Sequence, residues 1–165
     1  LLATTPDRWR ALSEASGPEL LQRRPLPGEW SALECLQHLL DTEKHVFPVR
    51  VRAFLAGRDF PGFDPDAQGT LVEATTDPGA MAERFATGRA GSLELLSGLT
   101  DADLSRTARH AELGTVTLHE MLHQWVGHDL MHTVQGERAL LQPFAAASGP
   151  WRGYFADHDV EAAVR

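Results

Sequence analysis

The stretch Leu118 to Gln135, LHEMLHQWVGHDLMHTVQ, carries four of the eight histidines in this 165-residue chain. They fall as two H-x-x-x-H pairs, His119/His123 and His128/His132. Imidazole is a common metal ligand, and side chains four apart share one face of a helix. Each residue turns by about 100°, so with His119 at zero, His123 lies near 40°, His128 near 180° and His132 near 220°. The two pairs point to opposite sides and cannot serve one ion together. Glu120, Gln124, Gly127 and Arg138 cluster near about 100°, the wet side, while Leu118, Met121, Leu122 and Trp125 span about 200° to 300°, the core side. His128 and His132 continue the Met121/Trp125 stripe, which leans toward that pair. Both pairs flank the core arc, so periodicity alone leaves the choice open.

Two helical histidines are a weak metal signal by themselves, because a tight or catalytic site takes a third ligand from another element. His38 and His45, seven apart and on nearly one face, are the candidates on an earlier helix. They edge an apolar arc of Cys35, Leu36, Leu39, Leu40, Val46 and Phe47. A solvated face shared with Glu34 and Asp41 is the plain alternative, and spacing does not choose between His38 and His45.

The elements that must position these residues read as helices. Thr5-Pro6-Asp7 starts the first, Ser16-Gly17-Pro18 breaks it, and a shorter helix follows from Glu19 to Arg24. Ser31-Ala32-Leu33-Glu34 has capping-box spacing and opens a helix expected to run to Gly57, kinked at Pro48. Residues 58–69 read as a long loop, of the kind that lines sites. Asp77-Pro78 starts a third helix ending near Gly98, and residues 100–105 add a turn. Residues 107–116 read as irregular, with no β-alternation. Thr117-Leu118-His119-Glu120 is a second capping box, and its helix is expected to reach Leu141, before Pro143. Residues 1–147 are expected to form one domain, an all-α up-and-down four-helix bundle, with residues 148–165 a weakly helical tail.

Apolar residues make up 42% of the chain and charged residues 23%, ordinary for a globular domain, and the formal net charge is -8. That acidity argues against nucleic acid and against an anionic membrane surface as partners. No apolar run approaches a membrane span. The lone cysteine, Cys35, gives no sign of an oxidising compartment, and a cytoplasmic protein is expected. Leu1 in place of Met is read as a trimmed start.

Two stretches, PLPGEWSALECLQHLLDTE (residues 25–43) and RHAELGTVTLHEMLHQWVGHDLMHTVQ (residues 109–135), resemble the two conserved-pattern segments of the DinB-like family of small metal-binding four-helix proteins. The first is similar to its Trp-Ser/Thr…Glu…His-Leu…Asp…Glu pattern, the second to its Leu-Gly-x-Val-Thr-Leu…Trp-x-x-His-Asp-x-x-His-x-x-Gln pattern. Order and separation agree, and the tail after Gly149 lies outside the resemblance.

The resemblance implies a divalent metal, zinc or nickel first among them, held by His38, His128 and His132. His119 and His123 then fall at variable helix positions and are read as structural or surface residues. It also implies a metal-dependent enzyme, either a thiol-dependent S-transferase or isomerase or a hydrolase, acting on a small-molecule substrate with a thiolate or water as nucleophile. The alternative is a non-catalytic metal-binding bundle of the stress response. A low-molecular-weight thiol as co-substrate and a homodimer are implied in the same way. Glu34 and Gln135 are candidates to receive the second ring N–H of a ligating histidine. Asp129 is read as structural, His110 as lining the cleft or holding a turn, Cys35 as core, and Trp30 and Trp125 as packing residues.

Overall fold

A computed structural model describes residues 1–63, 72–73 and 75–160. The expected four-helix bundle is the observed architecture, built on α1 (Thr5–Gln22), α2 (Ala32–His45) continued by α3 (Phe47–Leu55), α4 (Pro78–Ser97) and α6 (Leu118–Ala147). A single turn, α5 (Asp101–Leu104), and a hairpin of β1 (Thr107–His110) and β2 (Gly114–Thr117) lie between α4 and α6. A 3₁₀ segment, Gly149–His158, follows α6. Of the loop expected over residues 58–69, residues 64–69 lie outside the described residues, as do residues 161–165 of the tail.

Local chemistry explains most of the boundaries. Ser31 and Glu34, and Thr117 and Glu120, form reciprocal capping boxes that satisfy free backbone donors at the starts of α2 and α6. Asp77 caps α4 by accepting from the Gly79 and Ala80 amides. Gly17 interrupts α1 at φ 69°, a conformation other residues rarely adopt, directly before Pro18.

The second rod breaks rather than kinks. Val46 leaves helical geometry at φ -117° and ψ -75°, and α3 restarts at Phe47 with Pro48 in its first turn. A proline inside a continuous helix would strike the carbonyl four residues earlier, that of Lys44, whereas Pro48 fits a helix start.

Two further sequence expectations fail here. Residues 107–116 are not irregular: β1 and β2 pair antiparallel with Thr107 opposite Thr117 and His110 opposite Gly114. The turn closes through Gly114 at φ 77°. The alternation exists, with Ala108 and His110 buried and their neighbours exposed, but four residues are too few to register against a helical background. Similarly, α6 passes through Pro143 to Ala147. The following 3₁₀ segment packs back on this turn, where Arg138 Nε and Gln142 Nε2 both donate to the His158 carbonyl at 3.0 Å. The Val160 amide in turn donates to Gln142 Oε1.

In the bundle α1 packs chiefly on α4, and α2 packs on both α4 and α6. One buried cluster includes Trp9, Leu33, Leu36, Met81 and Phe85, and the other Phe47, Phe54, Phe60, Leu118 and Trp125. Gly136 permits the close approach of α1 to α6, since a Cβ there would stand 2.5 Å from the Trp9 ring. Trp9 Nε1 donates to Thr133 Oγ1 at 3.2 Å across the same seam.

Candidate metal centre

The capping box fixes where α2 begins and so places His38 on the face packed against α6. His128 and His132, four apart on α6, meet it there. Ring centroids are 5.0 Å apart for His38 and His128, 4.4 Å for His38 and His132, and 4.5 Å for His128 and His132. One ring nitrogen from each lies within 4.8 Å of the others, and this is the one such histidine or acid cluster among the described residues. His45 is exposed and outside it.

Burial decides the protonation of these rings. It pushes the pKa of His38 from its ordinary 6.5 to about 4, with the charge of His132 adding to the effect. His128 falls to about 3, first through burial and then through the charges of His132, His38, Arg89 and Arg50. His132 is lowered by burial as well, against the opposing pull of Gln135 and Asp129. All three are neutral near pH 7, the state in which imidazole ligates.

Hydrogen bonding leaves the donor set incomplete in a telling way. His132 Nδ1 lies 2.9 Å from Gln135 Oε1, which takes the ring N–H and leaves Nε2 as a free base facing the cluster. The Nε2 atoms of His38 and His128 stand 2.9 Å apart, while both their Nδ1 atoms are buried without a partner. With each ring proton on Nδ1, the two Nε2 lone pairs face each other across that distance, the arrangement a shared cation would satisfy. Three converging imidazoles, with no cysteine or carboxylate ligand atom grouped with them among the described residues, make a donor set that fits a divalent cation.

Aromatic rings enclose the cluster. Trp30 stacks on His132 at 5.7 Å and leans on His38 at 5.1 Å, and Phe47 meets His128 edge-on at 5.1 Å. A cavity of about 490 Å³ opens beside them, lined by all three histidines, Trp30, Phe47 and Thr42 among others. Trp30 therefore faces the site, whereas Trp125 is fully buried packing, stacked on Phe47 at 4.9 Å.

The remaining candidates sort by contact. Glu34 is committed to Ser31 and to an ion pair with Arg24, so it is not available to His38. Asp129 is buried and paired with Arg89 at 2.7 Å, and Arg89 also holds Glu43 at 2.7 Å. Cys35 is fully buried and its thiol is pushed up to about 12 by that burial, which makes it inert. His110 both lines the cavity and holds the hairpin turn, accepting the Glu112 and Leu113 amides at Nδ1.

One motif escaped the sequence reading: His119 to His123 spells H-E-x-x-H, the zinc-protease pattern. Its geometry is wrong for that role. Both histidines are exposed, His123 Nδ1 lies 3.0 Å from the His119 carbonyl, and the Glu120 carboxylate is spent on Thr117. Arg89, Arg50 and Glu112 were also missed. For Arg89 a signal existed, since it follows Met81 and Phe85 at four-residue spacing and so had to be buried with a partner.

The sequence model of the DinB superfamily matches residues 1–135. The chain belongs to the DinB superfamily. Among solved structures, this DinB superfamily member is similar to YfiT from Bacillus subtilis, with a TM-score of 0.73 and 21% identity over 84% of this chain and 81% of that one. YfiT is described as a probable metal-dependent hydrolase with an unusual four-helix bundle topology. A second similar structure is the DinB-like protein YjoA from Bacillus subtilis, with a TM-score of 0.56 and 19% identity over 84% and 86% of the two chains. At these identities the likeness is one of fold. No curated protein matches the sequence.

Proposed function

We propose that this DinB superfamily chain is a metal-dependent enzyme in which His38, His128 and His132 hold one divalent cation, zinc or nickel, beside a small-molecule site. The observation that carries the reading is three uncharged imidazoles, from two helices, converging at the wall of a cavity of about 490 Å³. Neutral donors leave a bound cation its full charge, and three of them leave coordination positions vacant. When bound, such a cation supplies Lewis acidity toward a thiolate or a water molecule.

The chain's own groups do the rest. Burial keeps the three rings deprotonated, Gln135 fixes the orientation of His132, and Trp30 and Phe47 exclude water from the flanks of the cluster. Thiol-dependent S-transfer or isomerisation, or hydrolysis, is the chemistry these features suit, with a low-molecular-weight thiol as co-substrate in the first case. The description of YfiT as a probable hydrolase supports the same class. A non-catalytic metal-binding bundle would need no cavity at its ligands, so the cavity favours the enzyme.

His38→Ala removes one of three ligands and is expected to abolish stoichiometric metal, read by elemental analysis of the purified protein. Full retention of metal in that variant would sink the assignment. A transfer screen with common cellular thiols, and a hydrolysis screen beside it, then identifies the reaction.

A further inference from the structure

We propose that Arg50 and His110 form an oxyanion subsite in the cavity that holds the three histidines, so that its ligand is a small, largely apolar molecule bearing a carboxylate or phosphate group. This rests on the reading of the cavity as the substrate site. Arg50 projects from α3 into the cavity wall. Arg8, Arg10, Arg24, Arg89, Arg106 and Arg152 each close on a carboxylate, whereas Arg50 has no ion pair among the described residues. Its guanidinium lies over the Phe60 ring at 5.2 Å, and its Nη2 is 3.5 Å from the Pro61 carbonyl oxygen, at the outer limit of a hydrogen bond. A guanidinium cannot shed its charge, so a partly buried one that lacks an anion is a standing site for one.

His110 sharpens the case. The Glu112 and Leu113 amides donate to its Nδ1 at 3.2 and 3.4 Å, which puts the ring proton on Nε2. That Nε2–H faces Arg50 Nη2 across 3.4 Å, so two donors confront each other with no acceptor between them. An oxygen of a carboxylate or phosphate accepts from both, and such charge-assisted bonds are the strong ones. Phe60, Phe63, Val116 and Met121 supply apolar wall around this polar point.

The countercharge nearby is Glu112, which opposes the lowering that burial imposes on Arg50. Its carboxylate lies against Gly62, where a Cβ would come within 2.6 Å of Oε1. An incoming anion meets its repulsion, so Glu112 should weaken binding that Arg50 strengthens.

The test is calorimetric titration of zinc-loaded protein with phenylacetate, phenyl phosphate and neutral phenylacetamide, with zinc content measured separately by elemental analysis. At least one anion is expected to bind, with phenylacetamide weaker by about tenfold or more, and Arg50→Gln should cost the anion about tenfold or more while leaving zinc content unchanged. Arg50→Lys, which keeps charge but loses the planar fork, should fall between, and it serves if Arg50→Gln does not fold. Glu112→Gln should bind the anion more tightly than wild type. An anion held equally by wild type, Arg50→Gln and Arg50→Lys, as it would be if it bound only the zinc, overturns the subsite, and so does an amide that binds as well as the acid. Arg50-dependent anion binding by a chain that takes up no zinc would instead defeat the metal reading and leave the subsite standing.

Discussion

At the scale of single residues, the cluster is held neutral by its surroundings, and that has a sign that can be measured. In the unfolded chain each of the three histidines titrates near its ordinary 6.5, while in the fold His38 titrates at about 4 and His128 at about 3. Between about pH 6.5 and 4 the unfolded chain therefore takes up protons that the folded cluster refuses, and stability falls as pH falls. Denaturant melts of metal-free protein at pH 7.5 and pH 4.5 should show this loss, and His38→Ala should reduce it. An unchanged pH slope in that variant would contradict the assigned environment. Gln135 acts on the same cluster from outside, since its Oε1 accepts a hydrogen bond from His132 Nδ1–H at 2.9 Å. Gln135→Ala is expected to lower metal affinity by about 10- to 100-fold with little change in fold, read by competition with a chelating dye. Gln135 was legible in the sequence as an acceptor three residues after His132. The commitment of Glu34 to Arg24 was not, because Arg24 lies in a loop whose path only folding decides.

At the scale of elements, the helices hold the histidines in register through a buried charge network as well as apolar packing. Arg89 on α4 reaches Glu43 on α2 and Asp129 on α6, next to His128, and lies over the rings of Phe85 and Trp125 at 4.9 and 5.3 Å. Removing the cation leaves two buried carboxylates unpaired, and breaking buried pairs in this way costs about 3–5 kcal/mol. Arg89→Leu should therefore lower the melting temperature by about 10 °C or more, measured by circular dichroism. A loss under about 2 °C would mean that the network does not tie the helices together. The capped helix starts were readable from four-residue signals because caps are local hydrogen bonds. The hairpin and the passage of α6 through Pro143 were not, because four-residue strands give too short an alternation and a proline reads locally as a helix stop.

At the scale of the whole molecule, the proposed centre lies where the two halves of the chain meet, with one ligand before residue 40 and two after residue 125. A cation bound only by the folded state should stabilise it, by about 2.7 kcal/mol at a hundred times the dissociation constant. Zinc addition is thus expected to raise the melting temperature by about 5–10 °C, and a chelator should reverse it. A melting temperature indifferent to zinc and nickel would argue against a ligating cluster. None of the described helices is long and apolar enough to cross a membrane. The sequence by itself determined the bundle, its capped helix starts and the pairing of His128 with His132 on one face, because periodicity and caps act within a few residues. The tertiary structure brought His38, which the family resemblance had implied and spacing could not separate from His45, onto that pair, and it decided that Arg50 and His110 share the cavity. Each of those is a contact across tens of residues, set by how helices pack and by what their burial leaves without a partner.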